Sequence, residues 1–343
     1  MEKIDIKTFS LKELEEEILA LKEPKFRAKQ IFNWLHQKHI ESFDEMTNLS
    51  KDLRQKLNEK YKITEIEILD TLKSKEDGTT KFLFKLEGNN VIESVLMKYS
   101  YGNAVCISSQ VGCRMGCTFC ASTLDGLERN LTVAEMLSQI YKIQKYSGER
   151  IRSIVLMGSG EPFDNFDNFK KFIEMINCKE GLELGQRHIT VSTCGIVERI
   201  YDFANLKTQV NLAISLHAPN NELRRNVMPV ARKYTVEEII EACKYFSDTT
   251  KRRVTYEYAL ISGVNDKEEH AEQIISLLKG TLCHINLIPV NDVKERDYIK
   301  SSKAQIKKFS EIIEKSGINV TIRRELGSDI NAACGQLRRS YKY

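Results

Sequence analysis

Ala104-Val-Cys106-Ile-Ser-Ser-Gln-Val-Gly-Cys113-Arg-Met-Gly-Cys117-Thr-Phe-Cys120 reads as a strand running into three closely spaced cysteines. Ala104–Ser109 carries the strand signal. Thr132-x-x-Glu135 then has the form of a capping box, in which the Thr oxygen and the Glu carboxylate satisfy free N–H groups at a helix start. A strand, a cysteine loop and a helix thus open the second part of the chain.

Outward from this stretch the pattern repeats. Strands are expected at Ser153–Met157, His188–Ser192, Asn211–Leu216, Val254–Leu260, His284–Pro289 and Asn319–Arg323. Helices are expected at Thr132–Tyr146, Asn168–Asn177, Val197–Asn205, Thr235–Ser247, Lys267–Leu278 and Lys303–Lys315, with a second capping box at Thr235-x-x-Glu238. Repeated strand–helix units imply an α/β fold, a parallel sheet closing into a full or partial βα barrel, with the active site at the C-terminal ends of its strands. Upstream, residues 1–75 read as a small, mostly helical accessory domain, with helices after Ser10, over Phe26–Gln37 and over Asp44–Tyr61. Residues 76–103 read as a β-rich extension, with strands Thr80–Leu86 and Val91–Met97 around a Gly88-Asn89-Asn90 turn. Residues 104–343 are expected to form the catalytic domain.

Composition limits the setting. The chain has 343 residues, 41% hydrophobic, and a net charge of +4 that identifies no partner. No apolar run is long enough to span a membrane, and the N-terminus lacks the order of a signal peptide. A cytoplasmic protein is expected. In a reducing compartment the nine cysteines are core residues, metal ligands or catalysts rather than permanent disulfides. Basic groups at Arg224-Arg225, Arg232-Lys233, Lys251-Arg252-Arg253 and the C-terminal stretch read either as a solvated face or as an RNA phosphate footprint.

Cys113, Cys117 and Cys120 form a C-x3-C-x2-C run with a glycine inside it. Three such thiolates can wrap one face of a cubic iron–sulfur cluster and leave its fourth iron open. A chance group of buried cysteines and a zinc site are the alternatives. Zinc needs a fourth ligand, and the next Cys or His downstream are Cys178 and His188.

The run, with Phe119 before the last cysteine, resembles the signature of the radical S-adenosylmethionine (SAM) superfamily. Cys106-Ile-Ser-Ser-Gln-Val-Gly-Cys113, Gly158-Ser-Gly-Glu161-Pro162, Ser215-Leu-His217-Ala and Ala333-Cys334-Gly-Gln-Leu together resemble the RlmN family across essentially the whole chain. That family methylates C2 of an adenine in 23S ribosomal RNA and, in some members, of an adenine in tRNA. The resemblance implies a [4Fe-4S] cluster on Cys113, Cys117 and Cys120 and two SAM molecules per turnover. It implies SAM contacts from Gly160, Glu161, Ser192, Ser215, Leu216, His217 and Asn291. It further implies Cys334 as methyl carrier, Cys106 as the thiol that releases the product through a transient disulfide, and Glu93 as acid/base. The partners it implies are 23S rRNA, in some members tRNA, and an electron donor such as flavodoxin or ferredoxin, with no membrane and no DNA. Ser159 stands where many relatives have Met.

Blander readings stand beside these. Ser192 suits a helix cap, His217 an ordinary satisfied histidine, Cys334 a core thiol and Glu93 a solvent-facing strand residue. Cys178, Cys194, Cys243 and Cys283 match no catalytic pattern and read as structural. Two other functions compete. One is a Cfr-like enzyme acting on C8 of adenine, against which stand Pro162 and the stretch Asn286–Asn291. The other is a non-catalytic iron–sulfur RNA-binding protein, against which stands the joint presence of the SAM motifs and Cys334.

Overall fold

The computed structural model describes residues 3–291 and 293–337. Ten strands make one open sheet. Glu67–Lys73, Thr80–Lys85, Val91–Tyr99 and Gly102–Cys106 pair antiparallel in that order. From Gly102–Cys106 onward the pairing is parallel and follows chain order, through Ile151–Leu156, Ile189–Thr193, Asn211–Ser215, Val254–Leu260, Cys283–Pro289 and Val320–Ile322. The sheet's edges are Glu67–Lys73 and Val320–Ile322, so this is the partial form of the expected barrel.

Local chemistry explains where the helices start. Thr132 Oγ1 accepts from Glu135 N at 3.2 Å while Glu135 Oε2 accepts from Thr132 N at 2.9 Å, the reciprocal pair expected of a capping box. Thr235 and Glu238 repeat it. The helices bury their apolar stripes on the outer face of the sheet. Phe163, Phe169, Phe203 and Phe246 lie there fully buried, each contributing roughly 1.5–3 kcal/mol of hydrophobic stabilisation.

The N-terminal helices Leu11–Ala20, Phe26–His36 and Lys51–Lys60 pack against the outside of this layer. His36 Nδ1 meets Tyr141 Oη at 2.8 Å, and Lys171 pairs with Glu13 at 2.7 Å. Glu67–Lys73 lies in a stretch that the sequence marks as helical, yet it is an edge strand of the main sheet. Its side chains are mostly half-buried or exposed, so its apolar signal is weak, and pairing with Thr80–Lys85 decides its conformation. Among the described residues no helix is long and apolar enough to cross a membrane.

Val91–Met97 is buried on both faces. Ile92 and Leu96 join the main core, while Val95 and Met97 pack with Cys106, Ala332 and Leu337. The C-terminal loop therefore covers the inner face of this strand.

Candidate active site

Loops at the C-terminal ends of the parallel strands enclose a cavity that is partly open to solvent. Cys113, Cys117 and Cys120 lie on its wall. Backbone bonds fix their loop. Cys113 N donates to Gly126 O at 2.9 Å, and Thr118 N donates to Val227 O at 2.9 Å. Thr123 Oγ1 lies 3.0 Å from Cys117 O and 2.9 Å from Cys120 O, where its proton bridges the two carbonyls.

Burial pushes the Cys113 thiol up to about 12 and raises Cys117 and Cys120 as well, with the neighbouring thiolates adding to the effect on Cys113 and Cys117. The cationic iron of a bound cluster would hold three such desolvated sulfurs as thiolates. Among the described residues, no three Cys, His, Asp or Glu side chains converge as ligands of one metal ion would. A cube of four irons asks for a wider spread, because each thiolate meets its own iron. The donor set fits such a cluster.

Most of the residues proposed for SAM share this cavity. Gly160, Glu161, Ser192, Ser215, His217 and Asn291 line it. Gly160 has φ +105°, and a Cβ there would meet Gln110 Cβ at 2.6 Å, so only glycine fits the approach of the two loops. The Glu161 carboxylate accepts from Cys194 N at 2.7 Å and Phe163 N at 3.0 Å, which ties its loop to the end of Ile189–Thr193. Ser192 Oγ and Ser215 Oγ stand 3.4 Å apart on neighbouring strands, so Ser192 does not cap a helix. His217 has φ +54°, accepts from Ala259 N at 2.9 Å through Nδ1, and meets the Phe119 ring edge-on. It is thus a satisfied histidine that also faces the cavity. Leu216 is not on the wall. Its side chain is in the main core, and its N–H donates to Glu257 O.

A second cavity adjoins the first. Cys106 and Cys334 both line it, and Met157, Ile288, Asn291, Arg323 and Cys334 are shared by the two. Cys106 sits at the end of the first parallel strand. Burial, with the charge of Cys334 second, pushes its thiol up to about 12. Cys334 reaches it because the C-terminal loop is anchored to the cluster loop. Ala121 N donates to Gly335 O at 2.7 Å, Ser122 Oγ donates to Leu337 O at 2.6 Å, and Asn291 Nδ2 donates to Cys334 O at 3.0 Å. Both cysteines are free thiols.

Glu93 is 2% exposed, which removes its reading as a solvent-facing residue. Its Oε1 lies 3.2 Å from Lys81 Nζ.

The basic pair Arg224-Arg225 splits. Arg224 is fully buried and donates to Leu216 O at 3.1 Å and to the carbonyls of Cys194 and Ser215. It ties strand-end loops together and is not available to phosphate, whereas Arg225 is exposed. Arg338 and Arg339, also expected to meet RNA, lie outside the described residues.

Three wall residues escaped the sequence reading. Arg323 is shared by both cavities, and the nearby Cys334 charge holds its guanidinium pKa up. Glu257 sits 3.8 Å from it, with burial raising the carboxyl pKa. A lone acid inside Val254–Leu260 was the signal for Glu257. Cys194, read as structural, also lines the first cavity.

Two family models match this chain. The Radical SAM superfamily covers residues 107–275, and the Ribosomal RNA large subunit methyltransferase N-terminal domain covers residues 4–63. A protein of Lachnoclostridium phytofermentans is 57% identical over 99% of this chain and 96% of its own length. One of Clostridium novyi is 55% identical over 98% of each. Both carry the name "Probable dual-specificity RNA methyltransferase RlmN". A radical SAM methyltransferase structure from Sphaerobacter thermophilus superposes with a TM-score of 0.93 at 41% identity, over 98% of this chain and 100% of that one.

Proposed function

The chain belongs to the RlmN family of radical SAM RNA methyltransferases, and from that membership we propose that it methylates C2 of an adenine in 23S rRNA. A tRNA adenine as a second substrate follows from the family resemblance, and the relatives' name includes dual-specificity. The observation that carries the reading is that Cys106 and Cys334 line one cavity that opens on the cavity of the cysteine triplet.

When bound, the cluster supplies one electron, and two SAM molecules supply a methyl group and a carbon-centred radical. Cys113, Cys117 and Cys120 hold the cluster. Gly160, Glu161, Ser192, Ser215, His217 and Asn291 shape the SAM pocket, while Leu216 lies in the core behind it. Cys334 carries the methyl group on sulfur, and loss of one hydrogen atom leaves a methylene radical there. C2 of adenine is electron-poor, so a carbon radical adds where polar attack on a sulfonium methyl is unfavourable. The adduct radical gives up one electron, which the cluster held by Cys113, Cys117 and Cys120 would take back, and Glu93 takes the C2 proton. The Cys106 thiolate then bonds to the Cys334 sulfur, and the S–CH2 bond breaks with its electron pair on carbon. That carbon takes a proton to become the methyl group. Arg323, beside both sulfurs, offsets thiolate charge that burial otherwise disfavours.

The anaerobically reconstituted protein, with SAM, reductant and a 23S rRNA fragment, should yield a nucleoside that co-elutes with synthetic C2-methyladenosine. C8-methyladenosine instead would establish the Cfr-like reaction. No 5′-deoxyadenosine at all would leave only an iron–sulfur binding protein.

A further inference from the structure

Val91–Tyr99 and Gly102–Cys106 form a hairpin in which Tyr99 pairs with Gly102, so Ser100 and Tyr101 make its tip. Gly102 has φ +124°, and a Cβ there would meet Arg152 Cγ at 2.5 Å. A side chain at this position would crowd Arg152, which packs against the base of the tip. Tyr101 is 68% exposed, and it stacks on Tyr99 with centroids 4.9 Å apart and planes 9° from parallel. Tyr99 covers one face of the Tyr101 ring and leaves much of the rest to solvent.

Place gives this pair its meaning. Tyr99 lines the same cavity as Cys106 and Cys334, and its hydroxyl lies 3.7 Å from Met97 Sδ. The exposed Arg324 lines that cavity too. The tyrosine stack thus runs outward from the catalytic cysteines to the surface, beside a cation. An RNA whose adenine enters this cavity must lead its adjoining nucleotides past the rim. RNA loops are recognised with their bases unstacked from one another and restacked on aromatic side chains.

We propose that Tyr101, backed by Tyr99, is a stacking platform for a base flanking the target adenine, with Arg324 beside it for the phosphate backbone. This rests on the RNA-methylating reading above and adds where the substrate strand leaves the site. Stacking of this kind accepts any base, because every base has a π-face. The contact therefore fixes the strand's path rather than its sequence, which suits an enzyme acting on two different RNAs.

The test measures binding of a fluorescein-labelled 23S rRNA fragment carrying the target adenine. Tyr101→Ala should weaken binding roughly ten- to hundredfold. Tyr101→Phe and Tyr101→Trp should keep wild-type affinity, and Tyr101→Leu should not, since it keeps apolar area but loses the π-face. An abasic site scanned along the fragment should find one position, next to the target, at which Tyr101→Ala costs nothing further. Equal binding by wild type and Tyr101→Ala overturns the platform while leaving the RNA reading intact. So does an Ala effect that no abasic position cancels. Failure of the wild type to bind the fragment would remove both.

Discussion

Lys81 Nζ lies 3.2 Å from Glu93 Oε1 and 3.2 Å from the carbonyl of Asn331, three residues before Cys334. One ammonium thus joins the proposed acid/base to the loop that carries the proposed methyl acceptor. Two further bonds hold the same loop: Gly327 N donates to Asp77 Oδ2 at 2.9 Å and Lys75 N donates to Asp329 Oδ2 at 3.1 Å. The β-extension is the clamp that brings Cys334 over the strand ends. Lys81→Met should destabilise the protein by about 3 kcal/mol, because it leaves a buried carboxylate short of a partner. Adding Glu93→Gln should recover part of that loss. Urea unfolding of the two single variants and the double variant measures the coupling, and strict additivity would show that the pair does not interact.

Cys113, Cys117 and Cys120 should act as one unit. Cys117→Ala should lose bound iron and sulfide together, along with SAM cleavage. A reconstituted Cys117→Ala protein that still releases 5′-deoxyadenosine would exclude the assignment.

Cys334 and Cys106 should fail differently. Cys334→Ala should form neither methylated protein nor RNA adduct, although iron content stays at the wild-type level. Cys106→Ala should accept the methyl group, attack RNA and stop as a covalent protein–RNA species on a denaturing gel. Free methylated RNA at the wild-type rate from Cys106→Ala would end its role as the releasing thiol.

Arg224 and Arg225 should also part company. Neutralising a phosphate contact lowers the slope of log affinity against log salt by about one. Arg225→Gln is expected to show that change. Arg224→Gln should leave the slope alone and instead lower stability by about 3 kcal/mol, since buried carbonyls lose a charged donor.

Acid should loosen the seam between the N-terminal helices and Val133–Ser147. His36 and His39 are held down at about 3 and about 4 by burial, from 6.5 for a free imidazole, and both rings pack on Tyr141. The unfolded chain binds protons there that the folded chain refuses. Stability is therefore full above pH 6.5 and falls as pH drops through that window. Between pH 6.5 and pH 5 each histidine should withdraw about 2 kcal/mol. The slope of unfolding free energy against pH should flatten in His36→Gln, whatever its absolute stability. An unchanged slope would place the acid sensitivity elsewhere.

The sequence alone determined what is local or periodic. Capping boxes at Thr132 and Thr235 are written within four residues, so their helix starts could be read directly. Alternating strands and helices from Ala104 onward implied parallel pairing, because a strand followed by a helix returns to its neighbour in the same direction. The cysteine spacing suggested a cluster because its three proposed ligands lie on one short loop. Tertiary structure decided everything that joins distant segments. Arg224 and Arg225 are neighbours in sequence and look alike. Only packing sends one into the strand-end loops and leaves the other in water. Glu93 lies on a strand whose alternation left its outer face free, until the C-terminal loop folded across it. No local pattern places Cys334 beside Cys106, 228 positions away; only the family resemblance implied that the two meet. That meeting depends on hydrogen bonds from Ala121, Ser122, Asn291 and Lys81, in three separate segments whose convergence no local pattern encodes.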